Sequence, residues 1–133
     1  MIVSGLITIL CGVGLYASLF MLRKSRLAES GRLAEPSVVQ TPRARLFAGL
    51  PNALFGTCYY PAVAVAAWLA LPNGIAIAVL AVVLFAAATS LFLAYSLLFV
   101  TRRACPYCWS AHVVNWSLVL LYVIHISRAW LLR

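Results

Sequence analysis

The apolar positions of this chain run in long blocks instead of alternating with polar ones. Four such blocks, at about 2–22, 52–71, 75–100 and 107–126, carry almost no charge. A helix needs roughly 20 apolar residues to cross the hydrocarbon core of a bilayer, so each block is long enough to span. The pattern predicts an all-α, integral membrane four-helix bundle, a single membrane domain over residues 1–133. A polar connection at 23–50 separates the first two blocks. Pro51 favours a helix start just after it. Pro72-Asn73-Gly74 reads as a tight turn, and Thr101-Arg102-Arg103-Ala104 as a brief polar break. Within the first connection, Leu46, Phe47 and Leu50 stand beside arginines. That segment is either an amphipathic turn lying on the interface or a solvated loop. Trp130 and Arg133 close the chain near an interface. The first block has no charged n-region and no small-residue cleavage site after it, which reads as a retained span and not a signal peptide.

Composition sharpens this picture. With 65% apolar and 9% charged residues, no soluble domain fits beside the spans. Ten basic residues face two acids, Glu29 and Glu35, for a net charge of +8. In a membrane protein that excess reports orientation and contact with anionic lipid. No basic run is interleaved with stacking aromatics, so nucleic acid is set aside. Four spans put the 23–50 connection and the 101–104 break on one side, which then holds eight of the ten basic residues. The positive-inside rule assigns that face to the cytoplasm. No Asp or Glu lies in any block, which argues against a proton-coupled four-span exporter.

The chemistry-bearing feature is Cys105-Pro106-Tyr107-Cys108 at the mouth of the last block. Two cysteines at this spacing can close a disulfide and reopen it. A helix starting at Pro106 turns its positive end toward the sulfurs, and Arg102 and Arg103 just upstream also favour a thiolate. Two other readings stand beside the redox pair. The cysteines are also compatible with small packing residues, or with a zinc site that includes His112 but lacks a nearby fourth ligand. His112 and Asn115 follow Cys108 by four and seven residues, on one helix face. Polar groups in a span face the bundle interior. They serve either a helix–helix hydrogen bond or a molecule bound near Cys108. Asn52 opens the second block at similar depth, as a helix cap or as part of the same site. Gly56, one turn on, permits close approach of a helix or ligand, and Tyr59 and Tyr60 read as interface or pocket wall. Cys11 and Cys58 lie inside spans and read as packing residues, so the four cysteines are not a secreted disulfide framework.

Taken together, these residues resemble the vitamin K epoxide reductase family and its bacterial and archaeal relatives. The likeness rests on the stretch from Asn52 through Gly56 to Tyr60, on 93–100, on the Cys105–Cys108 pair, and on Val114-Asn115-Trp116-Ser117-Leu118. It implies a four-helix membrane bundle around a quinone of the menaquinone or ubiquinone type. It implies catalytic roles for Cys105, exchanging with a partner thiol, and for Cys108, facing the quinone. Asn52 would hydrogen-bond a quinone oxygen. His112 stands where animal members have a quinone-contacting Tyr, and carries over as pocket lining with Asn115. One departure is plain. Family members usually carry two relay cysteines in the first loop, and here no Cys stands between residues 12 and 57; Glu35 takes the place of the second. The resemblance therefore implies a thioredoxin-like dithiol protein reaching Cys105 directly. The alternative is a redox-inactive quinone-binding or adaptor subunit that kept the fold. The family norm puts the cysteine face outside the cytoplasm, against the charge count.

Overall fold

The structure, a computed structural model, describes residues 1–33, 37–46, 48–103 and 105–131, with side chains as far as 128. The expectations attached to Glu35 and Phe47, and to the side chains of Trp130 and Arg133, lie outside the described residues. Four helices follow in order: α1 (Ile2–Glu29), α2 (Asn52–Ala66), α3 (Asn73–Tyr95) and α4 (Pro106–Leu131). Three of them, α1, α3 with its continuation, and α4, are long and apolar enough to cross a membrane.

The helices differ from expectation at their ends. α1 runs past the basic cluster to Glu29, because Arg and Lys are good helix formers and the last turns are polar. α2 stops at Ala66 and not near 71. At 15 residues it is about 22 Å long, short of the bilayer core. The chain turns at Ala67–Leu69 instead, where the Trp68 and Leu69 amides donate to the carbonyls of Val65 and Ala66. Asn73 and Gly74, expected in a turn, open α3 with Pro72 as its N-cap. α3 passes without a break into a π-helical segment, Ser96–Thr101, which ends at Arg102 in the left-handed region (φ 48°). Wide turns of this kind often mark functional sites.

Side-chain contacts fix the packing. Up α1 and down α2, Ser18 faces Gly56, Gly14 faces Tyr60, and Trp68 Nε1 donates to Thr8 Oγ1 at 2.9 Å. The two helices are therefore antiparallel. Phe20 of α1 stacks on Tyr107 of α4 at 3.9 Å, so α4 starts beside the second half of α1. α4 packs in turn on α3, while α2 and α3 barely touch. The interior joins an apolar cluster around Ile7, Val83, Leu118 and Tyr122 to several buried polar side chains, and the exterior is apolar too. Leu6, Ile9, Val82, Phe85, Leu120 and Ile124 point outward, and Ser4, Ser18, Ser90, Ser96, His112 and Asn115 are buried. This is the distribution of a bundle whose solvent is lipid.

Candidate active site

Because α2 is short and stands off from α3, the bundle keeps an open space between them. It is a cavity of about 800 Å³, walled mainly by apolar side chains from all four helices. The 37–46 segment closes its cysteine end. That segment folds as two single 3₁₀ turns, Val38–Gln40 and Pro42–Ala44, earlier than the expected amphipathic stretch at 43–50. Val39 is buried, and Val38, Thr41, Arg43 and Ala44 line the cavity with it. The Arg43 guanidinium lies over the Phe92 ring of α3, 5.5 Å from its centre. Arg45 pairs with Glu29 at the end of α1.

Asn52 fastens this cover. Its Nδ2 donates to the Arg43 carbonyl (2.7 Å) and its Oδ1 accepts from the Leu46 amide (2.9 Å). Asn52 lines the cavity, as expected of a site residue, but both its polar atoms are engaged by the connection's backbone. Replacing Asn52 by alanine removes both bonds and strands two backbone groups. The expected cost is about 1–3 kcal/mol, with faster proteolysis of the 37–46 segment. Unchanged proteolysis and stability would show that the cover does not depend on Asn52.

Cys105 and Cys108 form a disulfide, with Cα atoms 5.2 Å apart. Cys105 caps α4: the Trp109 amide donates to its carbonyl, and the Cys108 amide points at its Sγ from 3.2 Å. A helix amide aimed at that sulfur stabilises negative charge on it once the bond is reduced. The two cysteines look different ways. Cys108 lines the cavity, whereas Cys105 is 8% exposed, with Met21 Sδ of α1 at 4.0 Å from its Sγ. With both sulfurs in a disulfide, neither is available to a metal in this state.

His112 and Asn115 join Cys108 on the cavity wall, as their spacing predicts. His112 is 6% exposed and lies between Trp109 and Trp116, with ring centres 6.0 and 6.2 Å away. Asn115 Nδ2 donates to Ser90 Oγ of α3 at 2.6 Å, one helix–helix bond that leaves its Oδ1 over. Among the described residues, four buried side-chain polar atoms have no hydrogen-bond partner: Tyr59 OH, Ser96 Oγ, His112 Nδ1 and Asn115 Oδ1. All four residues line this cavity. Unpaired buried polar atoms are costly, and here all four belong to residues that line one largely apolar space, the composition of a ligand site. Sequence reasoning passed over Ser90 and Ser96; a serine in an otherwise apolar span is the signal that could have found them. Cys58, expected in packing, is exposed on the cavity wall, and Cys11 is buried in the core as expected.

The sequence model described as "Vitamin K epoxide reductase family" matches residues 5–123, nearly the whole bundle. No curated protein gives a significant match. The match takes in both cysteines, the cavity wall and the 37–46 cover. The chain belongs to the vitamin K epoxide reductase family.

Proposed function

We propose that this protein is a membrane thiol–quinone oxidoreductase that supports disulfide formation in other proteins. Family membership carries the oxidoreductase class and the use of a quinone. The finer assignment rests on one observation above the rest: Cys108 of the Cys105–Cys108 disulfide lines an apolar cavity whose wall residues include all four that carry an unpaired buried polar atom.

A quinone suits that cavity in size and chemistry. Its rim oxygens would meet Tyr59 OH, His112 Nδ1 and Asn115 Oδ1 in its quinone and quinol forms, and its isoprenoid tail the apolar walls. Asn52 contributes by holding the cover in place. A bound quinone supplies a two-electron, two-proton acceptor. On the other side, a partner dithiol attacks Cys105, forms a mixed disulfide there and leaves oxidised, with Cys105 and Cys108 now thiols. Two electrons and two protons have entered the pair, matching what the acceptor takes. With no loop cysteines between residues 12 and 57, the partner dithiol, of thioredoxin-like type, meets Cys105 without an internal relay. Because Cys105 is nearly buried, that encounter requires its cover, including Met21, to shift.

The test is direct. Purified protein, a reduced thioredoxin-like protein and a quinone are mixed, and quinone loss is followed. Catalysed loss supports the reading. A pair that stays redox-inert in membranes favours the adaptor reading.

The cysteine face is assigned to the cytoplasm. Eight of the ten basic residues lie in the two connections on that side, and the positive-inside rule outweighs the family norm here. A reporter cysteine at Arg102→Cys, on an exposed position, is expected to resist an impermeant thiol reagent on intact cells and to label after permeabilisation. Labelling from outside reverses the orientation.

A further inference from the structure

Two-electron quinone chemistry also moves two protons, and the cavity is poor in groups that can handle them. The lining residues that titrate or carry charge are Cys58, Tyr59 and Tyr60 on α2, Tyr107, Cys108 and His112 on α4, and Arg43 in the connection; α1 and α3 contribute none. No carboxylate or lysine is among them. Tyrosine and arginine hold their protons near neutral pH, and apart from the thiols imidazole is the lining group whose ordinary range lies nearest to it. His112 is one helical turn from Cys108 on the same face, buried, on the same wall, and its Nδ1 has no hydrogen-bond partner.

We infer that His112 is the proton carrier of the site. This rests on the thiol–quinone reading above. As the Cys105–Cys108 bond re-forms, two thiols lose two electrons and two protons. One proton passes from Cys108 Sγ by way of His112 to the acceptor; the other leaves Cys105 for water, from which the acceptor draws its second proton. His112 ends the cycle in the state in which it began, so the balance is two electrons and two protons from the thiol pair to the acceptor.

The chain has two histidines, His112 and His125, which makes a quinone-free readout practical. Histidine-labelled protein is titrated by NMR with the cysteine pair oxidised and then reduced, His125→Gln assigning the signals. The titration midpoint of His112 is expected to move on reduction and that of His125 to stay. Equal His112 titrations in the two states would overturn the inference. In turnover, His112→Phe is expected to lower kcat about 100-fold, with KM for quinone within about threefold. His125→Gln leaves the rate unchanged. His112→Asn keeps a polar group without the proton exchange and replaces the Phe variant should that fail to fold. Retained kcat with a raised KM in either variant makes His112 a binding contact only and overturns the inference. If wild-type protein reduces no quinone, the thiol–quinone reading falls, and the NMR titration still decides whether Cys108 and His112 share a proton.

Discussion

Replacing Cys108 by alanine is expected to abolish quinone reduction while leaving the Cys105 thiol able to form a mixed disulfide with a partner cysteine supplied in the disulfide state. Cys105→Ala is expected to abolish both. The loss in each case is to background, on the order of 10³-fold or more, because the two sulfurs work as a unit and neither substitutes for the other. The asymmetry follows from their surroundings. Cys108 lines the cavity, while Cys105 caps α4 outside it, with the Cys108 amide directed at its sulfur. With Cys108 absent, a mixed disulfide at Cys105 has no resolving thiol beside it and accumulates. Non-reducing electrophoresis reads this out after incubation with a thioredoxin-like protein that lacks its resolving cysteine and carries its remaining cysteine as a mixed disulfide with a small aromatic thiol, which the Cys105 thiolate displaces. If Cys105→Ala accumulates the mixed disulfide and Cys108→Ala does not, the two roles are exchanged. Trapping by neither variant would exclude direct exchange with that partner.

The second large effect is on stability. A β-carbon on Gly14 would clash with the ring of Tyr60, which is buried across the α1–α2 seam. Gly14→Ala must push the helices apart or drive Tyr60 from its rotamer, and overpacking of this kind costs about 1–3 kcal/mol. Thermal unfolding in detergent is expected to shift clearly downward. Combining Gly14→Ala with Tyr60→Val should lose less than the sum of the two single changes, since the clash is then relieved. Gly56→Ala meets Ser18 Oγ instead, the movable end of a small side chain, and is expected to be milder. A Gly14→Ala protein as stable as the parent would contradict the close α1–α2 approach on which the cavity's shape depends.

Much of this was legible in the sequence, and what was not has identifiable causes. The apolar blocks predicted the four helices, because in lipid a spanning backbone must satisfy itself as a helix. The i, i+4, i+7 spacing of Cys108, His112 and Asn115 brought all three to one wall, since helix geometry alone fixes a shared face. The end of α2 was hidden: Ala67 to Leu71 is as apolar as the helix before it, and nothing in hydropathy separates a turn from another turn of helix. The passage of α3 into a π segment at Ser96 was hidden for the same reason. Asn52 was placed correctly at the start of α2, but its partners, the Arg43 carbonyl and Leu46 amide, are backbone groups nine and six residues upstream. Backbone groups leave no mark in a sequence. The Gly56 spacing pointed to a close approach, and the structure shows its partner to be Ser18 of α1. Gly14, whose neighbour is the buried ring of Tyr60, looks like any other small residue in the first block.

These elements converge on one event, the re-forming of the Cys105–Cys108 bond at the expense of a quinone in the cavity beside it. Its most direct test is a single turnover without oxygen or partner protein. Fully reduced protein in detergent is mixed with one equivalent of a quinone, and quinol and the Cys105–Cys108 disulfide are counted in the same sample. One quinol for each disulfide formed is the predicted result. Thiols that stay reduced beside unreacted quinone, or that oxidise without forming quinol, would contradict it.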